Sequence, residues 1–212
     1  MKSLRLVLWV CVLIAGVSLI SLATFKTAPA PESTSPAITP IAGFNQGTHF
    51  TLTDETGAPY HTADALADGQ YGLVFFGFTF CPAICPTELQ KIAAVLDTLP
   101  QEQADRVQPL FVTVDPERDT PAVLKEYVAL FHPKIKGLTG TPDDVRTILN
   151  EWHVYAARAE DPSMNEYTMD HSTYTYLVDN HMNILAVFRM QDTPEIIVRR
   201  IIEITKQPMS SS

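Results

Sequence analysis

Two cysteines, Cys81 and Cys85, stand in the stretch Phe76-Gly-Phe-Thr-Phe-Cys-Pro-Ala-Ile-Cys-Pro-Thr-Glu88, each followed by a proline. If the segment coils into a helix, residues at this spacing lie on one face within one turn. Thiols so placed can form a disulfide or share a metal ion. A cysteine at a helix N-terminus gains more, because the helix dipole and free amides stabilise its thiolate and make it a better nucleophile and a better ligand. A purely structural bridge here would stabilise little, since so small a ring constrains few residues of the unfolded chain.

Two thiolates suit soft ions. A third ligand would complete a trigonal site for Cu(I), and imidazole is also acceptable to Cu(II), whereas zinc normally asks for four ligands. Among six histidines, His171 is the best placed, between the polar stretch Glu160–Asp170 and an apolar run. His49 and His61 flank a hairpin, His132 follows a helix, His153 lies near a strand start and His181 is in a turn. On its residues alone, a histidine before a strand is more often structural than a ligand. Met164 and Met169 carry thioethers that suit Cu(I), yet read equally well as ordinary contacts. A peroxidase would need only one activated thiol and would leave His171 unexplained. A metal site and a thiol–disulfide centre both stay open.

The elements around the pair define how it is held. Tyr71–Phe78 (YGLVFFGF) is a near-continuous apolar run, the mark of a central strand covered on both faces. Leu89, Ile92, Ala93, Leu96 and Leu99 then recur at helical spacing over Thr87–Leu99, and Val107–Val114 is a second apolar strand. Strand, helix and strand at these lengths form a right-handed βαβ unit with parallel strands, which places Cys85 at the N-terminus of the crossover helix. Asp115-Pro-Glu-Arg-Asp-Thr-Pro121 follows the second strand, at the sheet edge where α/β proteins bind ligands. Asp115 can there assist Cys81; alternatively Asp115 and Asp119 serve the turn and cap the next helix.

A short hairpin over Phe50–Tyr60 comes before this unit. After it come a helix over Ala122–Phe131, a short strand or connection at Gly137–Thr141, and a capped helix beginning at Thr141-Pro-Asp-Asp. His153–Arg158 is a candidate strand, Glu160–Asp170 an exposed loop, and Thr173–Val178 a strand paired through the Asp179–Asn183 turn with Ile184–Phe188. Pro194–Ile204 closes the chain as an amphipathic helix. These elements predict an α/β fold.

The chain has 212 residues, 46% hydrophobic and 18% charged, enough for one domain with an appendage. Leu4–Phe25 carries one charge, Arg5, and is about as long as the roughly 20 apolar residues that cross a bilayer. An apolar core longer than that of a signal peptide, followed by the poor cleavage site Ala28-Pro-Ala30, favours an uncleaved anchor. Lys2 and Arg5 on one side against Lys26 on the other leave the N-terminus in the cytoplasm and export the rest. The expected division is a cytoplasmic start and anchor over 1–26, a Pro/Ser/Ala-rich linker over 27–41, a domain over 42–206 and a tail over 207–212. Residues 1–30 carry Lys2, Arg5 and Lys26 and no acid, so the formal −9 of the chain leaves −12 for residues 31–212. Such acidity excludes nucleic acid as a partner and docking flat on anionic lipid. Cys11, inside the apolar segment, reads as a small apolar residue.

Three segments together resemble the SCO (SenC/PrrC) copper metallochaperones: Phe80-Cys-Pro-Ala-Ile-Cys-Pro86, Val114-Asp-Pro-Glu-Arg-Asp-Thr-Pro121, and Asp170-His-Ser172 ahead of an apolar strand. The likeness spans Ala42–Lys206. It implies a thioredoxin-like fold, a central mixed sheet with flanking helices and an N-terminal hairpin, behind one N-terminal transmembrane helix. It also implies that Cys81, Cys85 and His171 bind copper, as Cu(I) or Cu(II), with Asp115 close by. The implied role is delivery of copper to the CuA site of cytochrome c oxidase, with other periplasmic copper chaperones as further partners, by a carrier rather than an enzyme. The alternative is a thiol–disulfide oxidoreductase that reduces the oxidase's copper-site cysteines or senses redox state. An apolar segment almost at the first residue leaves no room for an organelle presequence, so the implied setting is a bacterial cytoplasmic membrane with the domain in the periplasm.

Overall fold

The computed structural model describes residues 47–160 and 167–206. The expected anchor, linker and tail lie outside these residues, and among the described residues no helix is long and apolar enough to cross a membrane. In chain order the elements are β1 (Thr51–Asp54), β2 (Pro59–His61), α1 (Thr62–Ala65), β3 (Tyr71–Gly77), α2 (Ile84–Thr98), α3 (Gln101–Arg106) and β4 (Val107–Thr113). There follow α4 (Pro121–Ala129), β5 (Lys136–Thr139), α5 (Pro142–Glu151), β6 (Ala156–Glu160), β7 (Tyr167–His171), β8 (Thr175–Val178), β9 (Ile184–Phe188) and α6 (Pro194–Thr205).

Seven strands form one mixed sheet in the order β2-β1-β5-β4-β3-β8-β9, and β6 with β7 forms a separate antiparallel pair. At the centre β3 and β4 run parallel, in register from Tyr71 opposite Val107 to Gly77 opposite Thr113. Every residue of β3 is buried, as the continuous apolar run predicts. Its alternation sorts the two faces. Phe75 stacks on Phe111 of β4, whereas Phe76 meets the indole of Trp152 at 5.5 Å and Tyr176 at 6.1 Å.

Trp152, 1% exposed at the end of α5, also meets Phe50 edge-on, and its indole N–H donates to the Thr48 carbonyl. A side chain at Gly47 would collide with that indole, within 2.6 Å of two of its atoms, so glycine lets the entering chain close over the ring. The helix carrying Trp152 starts on a reciprocal cap: Thr141 Oγ1 accepts from the Asp144 amide while Asp144 accepts from the Thr141 amide. On its own layer, α2 turns Leu89, Ile92, Val95 and Leu96 into the core and packs against α6.

Three expectations change. The crossover helix begins at Ile84 rather than Thr87, so Cys85 lies inside its first turn. Proline at residue 86 is tolerated there because first-turn amides have no partner within the helix. The stretch predicted as an exposed loop over Glu160–Asp170 contributes β7, paired from Ala156 opposite His171 to Glu160 opposite Tyr167; residues 161–166 lie outside the described residues. His171 therefore ends a strand of its own hairpin, and the next strand starts at Thr175. His153, expected in a strand, has a left-handed φ of 51° and closes α5 instead.

Candidate metal centre

Both cysteines lie beyond the C-terminal end of β3. Cys81 is half-buried in the irregular segment between β3 and α2, and Cys85 is fully buried in the first turn of α2. The Cys85 amide, one of the unpaired donors at the start of the helix, points at Cys81 Sγ at 3.4 Å. Gly77 makes room for the second sulfur: a Cβ there would sit 2.8 Å from Cys85 Sγ and 2.8 Å from the Phe111 ring. Both thiols are free.

His171 reaches the pair from the other sheet. Its Nε2 lies 3.7 Å from Cys85 Sγ. Its Nδ1 is 2.8 Å from the Ser172 carbonyl, which can only accept, so Nδ1 carries a proton. Nε2 is thus the ring nitrogen turned to the thiols, where it can donate to a thiolate or, without its proton, offer a lone pair to a metal. Edge-on contacts with Phe78, at 5.7 Å between ring centres, and Phe75, at 6.4 Å, hold the ring's plane.

The two thiols are electrostatically unequal. Cys81 is held far below the ordinary thiol range, to about 3, by a hydrogen bond with the Cys85 thiol, then by one with His171 and by the amides of Cys85 and Ala83. Cys85 is pushed strongly upward because it donates to Cys81, because it is buried, and because Cys81 is negative beside it. The outer sulfur is thus a thiolate and the inner one a thiol sharing its proton with it.

Cys85 Sγ and His171 Nε2 are far enough apart that an ion could be held between them. Bonds of about 2.3 Å to sulfur and 2.0 Å to nitrogen, as zinc makes, would meet at roughly 120° across 3.7 Å, the trigonal value. Among the described residues no three His, Cys, Asp or Glu side chains already converge closely enough to enclose an ion. Cys81 Sγ lies beside the same two side chains, within hydrogen-bonding reach of the Cys85 thiol and of His171.

The acidic turn is closed by the amides of Arg118 and Asp119 on the Asp115 carbonyl, but its carboxylates do not cap the helix that follows. Asp115, 3% exposed, accepts from Arg118 Nε at 2.5 Å and from the Tyr167 hydroxyl at 2.8 Å, so it holds the start of β7. Asp119 does not cap α4; Thr120 does, accepting from the Val123 amide. Instead Asp119 is fully buried and accepts from the Thr79 amide and hydroxyl and from the Thr113 hydroxyl, joining the cysteine loop to β4. Burial pushes its carboxyl upward against those hydrogen bonds. Sequence reasoning missed the part played by Thr79; its place between β3 and Cys81 was the available signal.

A dithiol at a helix N-terminus, faced by an imidazole, on a thioredoxin-like mixed sheet defines a domain that can hold a soft metal ion or exchange disulfides. The chain belongs to the SCO1/SenC family, whose model matches residues 39–206. It is 39% identical over 153 residues to the SCO2-like protein of Rickettsia felis, covering 72% of this chain and 73% of the relative. Among solved structures it resembles Bradyrhizobium japonicum ScoI with copper bound, at 37% identity and a TM-score of 0.67, covering 74% of this chain and 98% of that one. Yeast Sco1 with copper bound is similar at 36% identity and a TM-score of 0.69, covering 78% and 92% respectively. Homologous members of the family are thus copper-bound.

Proposed function

We propose that this chain carries copper on Cys81, Cys85 and His171 and delivers it to the CuA site of cytochrome c oxidase during assembly of that enzyme. The observation that carries this reading is the His171 ring, fixed through Nδ1 on the Ser172 carbonyl and turning Nε2 to Cys85 Sγ at 3.7 Å. Two sulfurs and one imidazole nitrogen are a donor set that suits copper. Copper here is cargo. The Cys81 side chain, half-exposed on an irregular segment, is the side of the site from which a partner could take the ion. Residues 1–26 then anchor the chain in a bacterial cytoplasmic membrane, residues 27–41 tether it, and residues 42–206 work in the periplasm, within reach of the oxidase subunit that bears the CuA site. Other periplasmic copper chaperones would load it.

The test is copper stoichiometry on the reduced full chain, beside Cys81→Ser, Cys85→Ser and His171→Ala. One equivalent in the parent, and affinity lost by at least tenfold in each variant, is the expected result. Parent-like binding in all three variants overturns the assignment.

The inequality of the thiols favours a second reading, a thiol–disulfide oxidoreductase that reduces the oxidase's copper-site cysteines. The Cys81 thiolate would attack a substrate disulfide, expelling one substrate thiolate. Cys85, giving up its proton, would then attack the mixed disulfide, so that two electrons leave for the substrate and a Cys81–Cys85 disulfide remains. Turnover of a protein disulfide by the metal-free chain no faster than by a free dithiol would sink it.

A further inference from the structure

One side chain outside the site touches both of its halves. Arg118, in the turn after β4, donates from Nε to Asp115 at 2.5 Å and from Nη1 to the Tyr167 carbonyl at 2.8 Å. Its guanidinium carbon lies 3.7 Å from the centre of the Tyr167 ring, 4.7 Å from that of Phe80 and 5.9 Å from that of Phe78. Phe80 immediately precedes Cys81, and Phe78 stands edge-on to the His171 imidazole. Tyr167 opens the strand that ends on His171, and its hydroxyl bonds the same Asp115 carboxylate. The guanidinium therefore lies between the loop that presents Cys81 and the strand that presents His171.

This placement matters because β6–β7 shares no ladder with the seven-stranded sheet. Its position over the thiol loop is set by its connections and by side-chain contacts of this kind. Only a planar cation with several fixed donors can bond a carboxylate and a carbonyl edge-on while its faces lie on aromatic rings.

We infer that Arg118 is a positioning residue for the copper site, clamping the His171 strand to the Cys81 loop and thereby setting how fast copper leaves. The inference rests on the copper reading above, but the clamp also exists in the metal-free chain and is measurable there.

The test uses the full chain in detergent, as parent, Arg118→Lys and Tyr167→Phe. Lysine keeps a charge opposite Asp115 but cannot also reach the carbonyl and lie flat on the rings. Phenylalanine keeps the ring and removes one hydrogen bond. Release of Cu(I) to a competing chelator is expected to quicken about tenfold in Arg118→Lys and roughly fivefold in Tyr167→Phe. The Cu(II) form should lose part of the imidazole nitrogen splitting in its electron paramagnetic resonance spectrum. In the metal-free chain, amide exchange over Tyr167–His171 should accelerate while β3 stays protected. Parent-like release and parent-like exchange in Arg118→Lys overturn the inference, and if that variant does not fold, the same two results in Tyr167→Phe do so. Should the parent bind no copper while exchange still accelerates, the copper reading fails and the clamp stands.

Discussion

At the scale of the residue, the feature that decides chemistry is the unequal partition of one proton between two sulfurs. With Cys81 lowered to about 3, it is ionised at every pH above that value, and Cys85, pushed upward, stays protonated across the same range. A free thiol titrates near 8.5, so its alkylation slows about tenfold for each pH unit below that. Iodoacetamide should therefore label Cys81 at a rate nearly constant from pH 5 to pH 8 and leave Cys85 unlabelled, as peptide mapping of the reduced chain would show. A tenfold fall in Cys81 labelling per unit would contradict the asymmetry. The pair was legible in the sequence because its spacing and its place after an apolar strand are local facts. His171 was legible only as the best placed of six histidines, because 86 residues separate it from Cys85 and nothing local distinguishes a ligand histidine from a structural one. The resemblance of three segments turned the reading from structural to ligand. Arg118 was quoted in one of those segments without a role, since its carbonyl partner at Tyr167 lies 49 residues away.

At the scale of the element, β3 and α2 act as one device. The strand ends in a glycine whose missing side chain is the space that Cys85 Sγ and Phe111 occupy. Gly77→Ala is expected to destabilise the fold by about 2 kcal/mol through overpacking, measurable as a lower urea midpoint with unchanged slope. It should also weaken copper binding, because the sulfur must shift. Unaltered stability would mean that the strand end yields more readily than its buried neighbours suggest. Elements covered on both faces, such as β3 and β4, could be read from hydrophobicity, since burial leaves no room for polar alternation. The pair β6–β7 could not. Its residues are half-exposed throughout, so no apolar period marks Ala156–Glu160 or Tyr167–His171. Likewise α3 was hidden by Pro100, which reads as the end of α2 and in fact caps the next short helix.

At the scale of the whole molecule, the charge of −12 on residues 31–212 surrounds the site with a field that attracts cations and basic surfaces. Under the proposed anchoring, the domain would search only the membrane surface for its partner, and the field would act on the encounter rate. The full chain is expected to stay with the membrane pellet through salt and alkaline washes and to need detergent for release. A periplasm-active reporter fused after Ser212 should work, and a cytoplasm-active one should not. Recovery of the chain in the soluble fraction would show that the apolar segment is removed.

The separation of β6–β7 from the main sheet has a consequence for how such proteins can arise and be rebuilt. The thiols belong to the scaffold, embedded where any change is felt by the core. The imidazole belongs to a peripheral hairpin whose outer residues face solvent. A lineage, or an engineer, could therefore exchange the imidazole with the strand that carries it while the dithiol remains intact. On this scaffold a disulfide catalyst and a metal courier are neighbours in sequence space, one detachable hairpin apart.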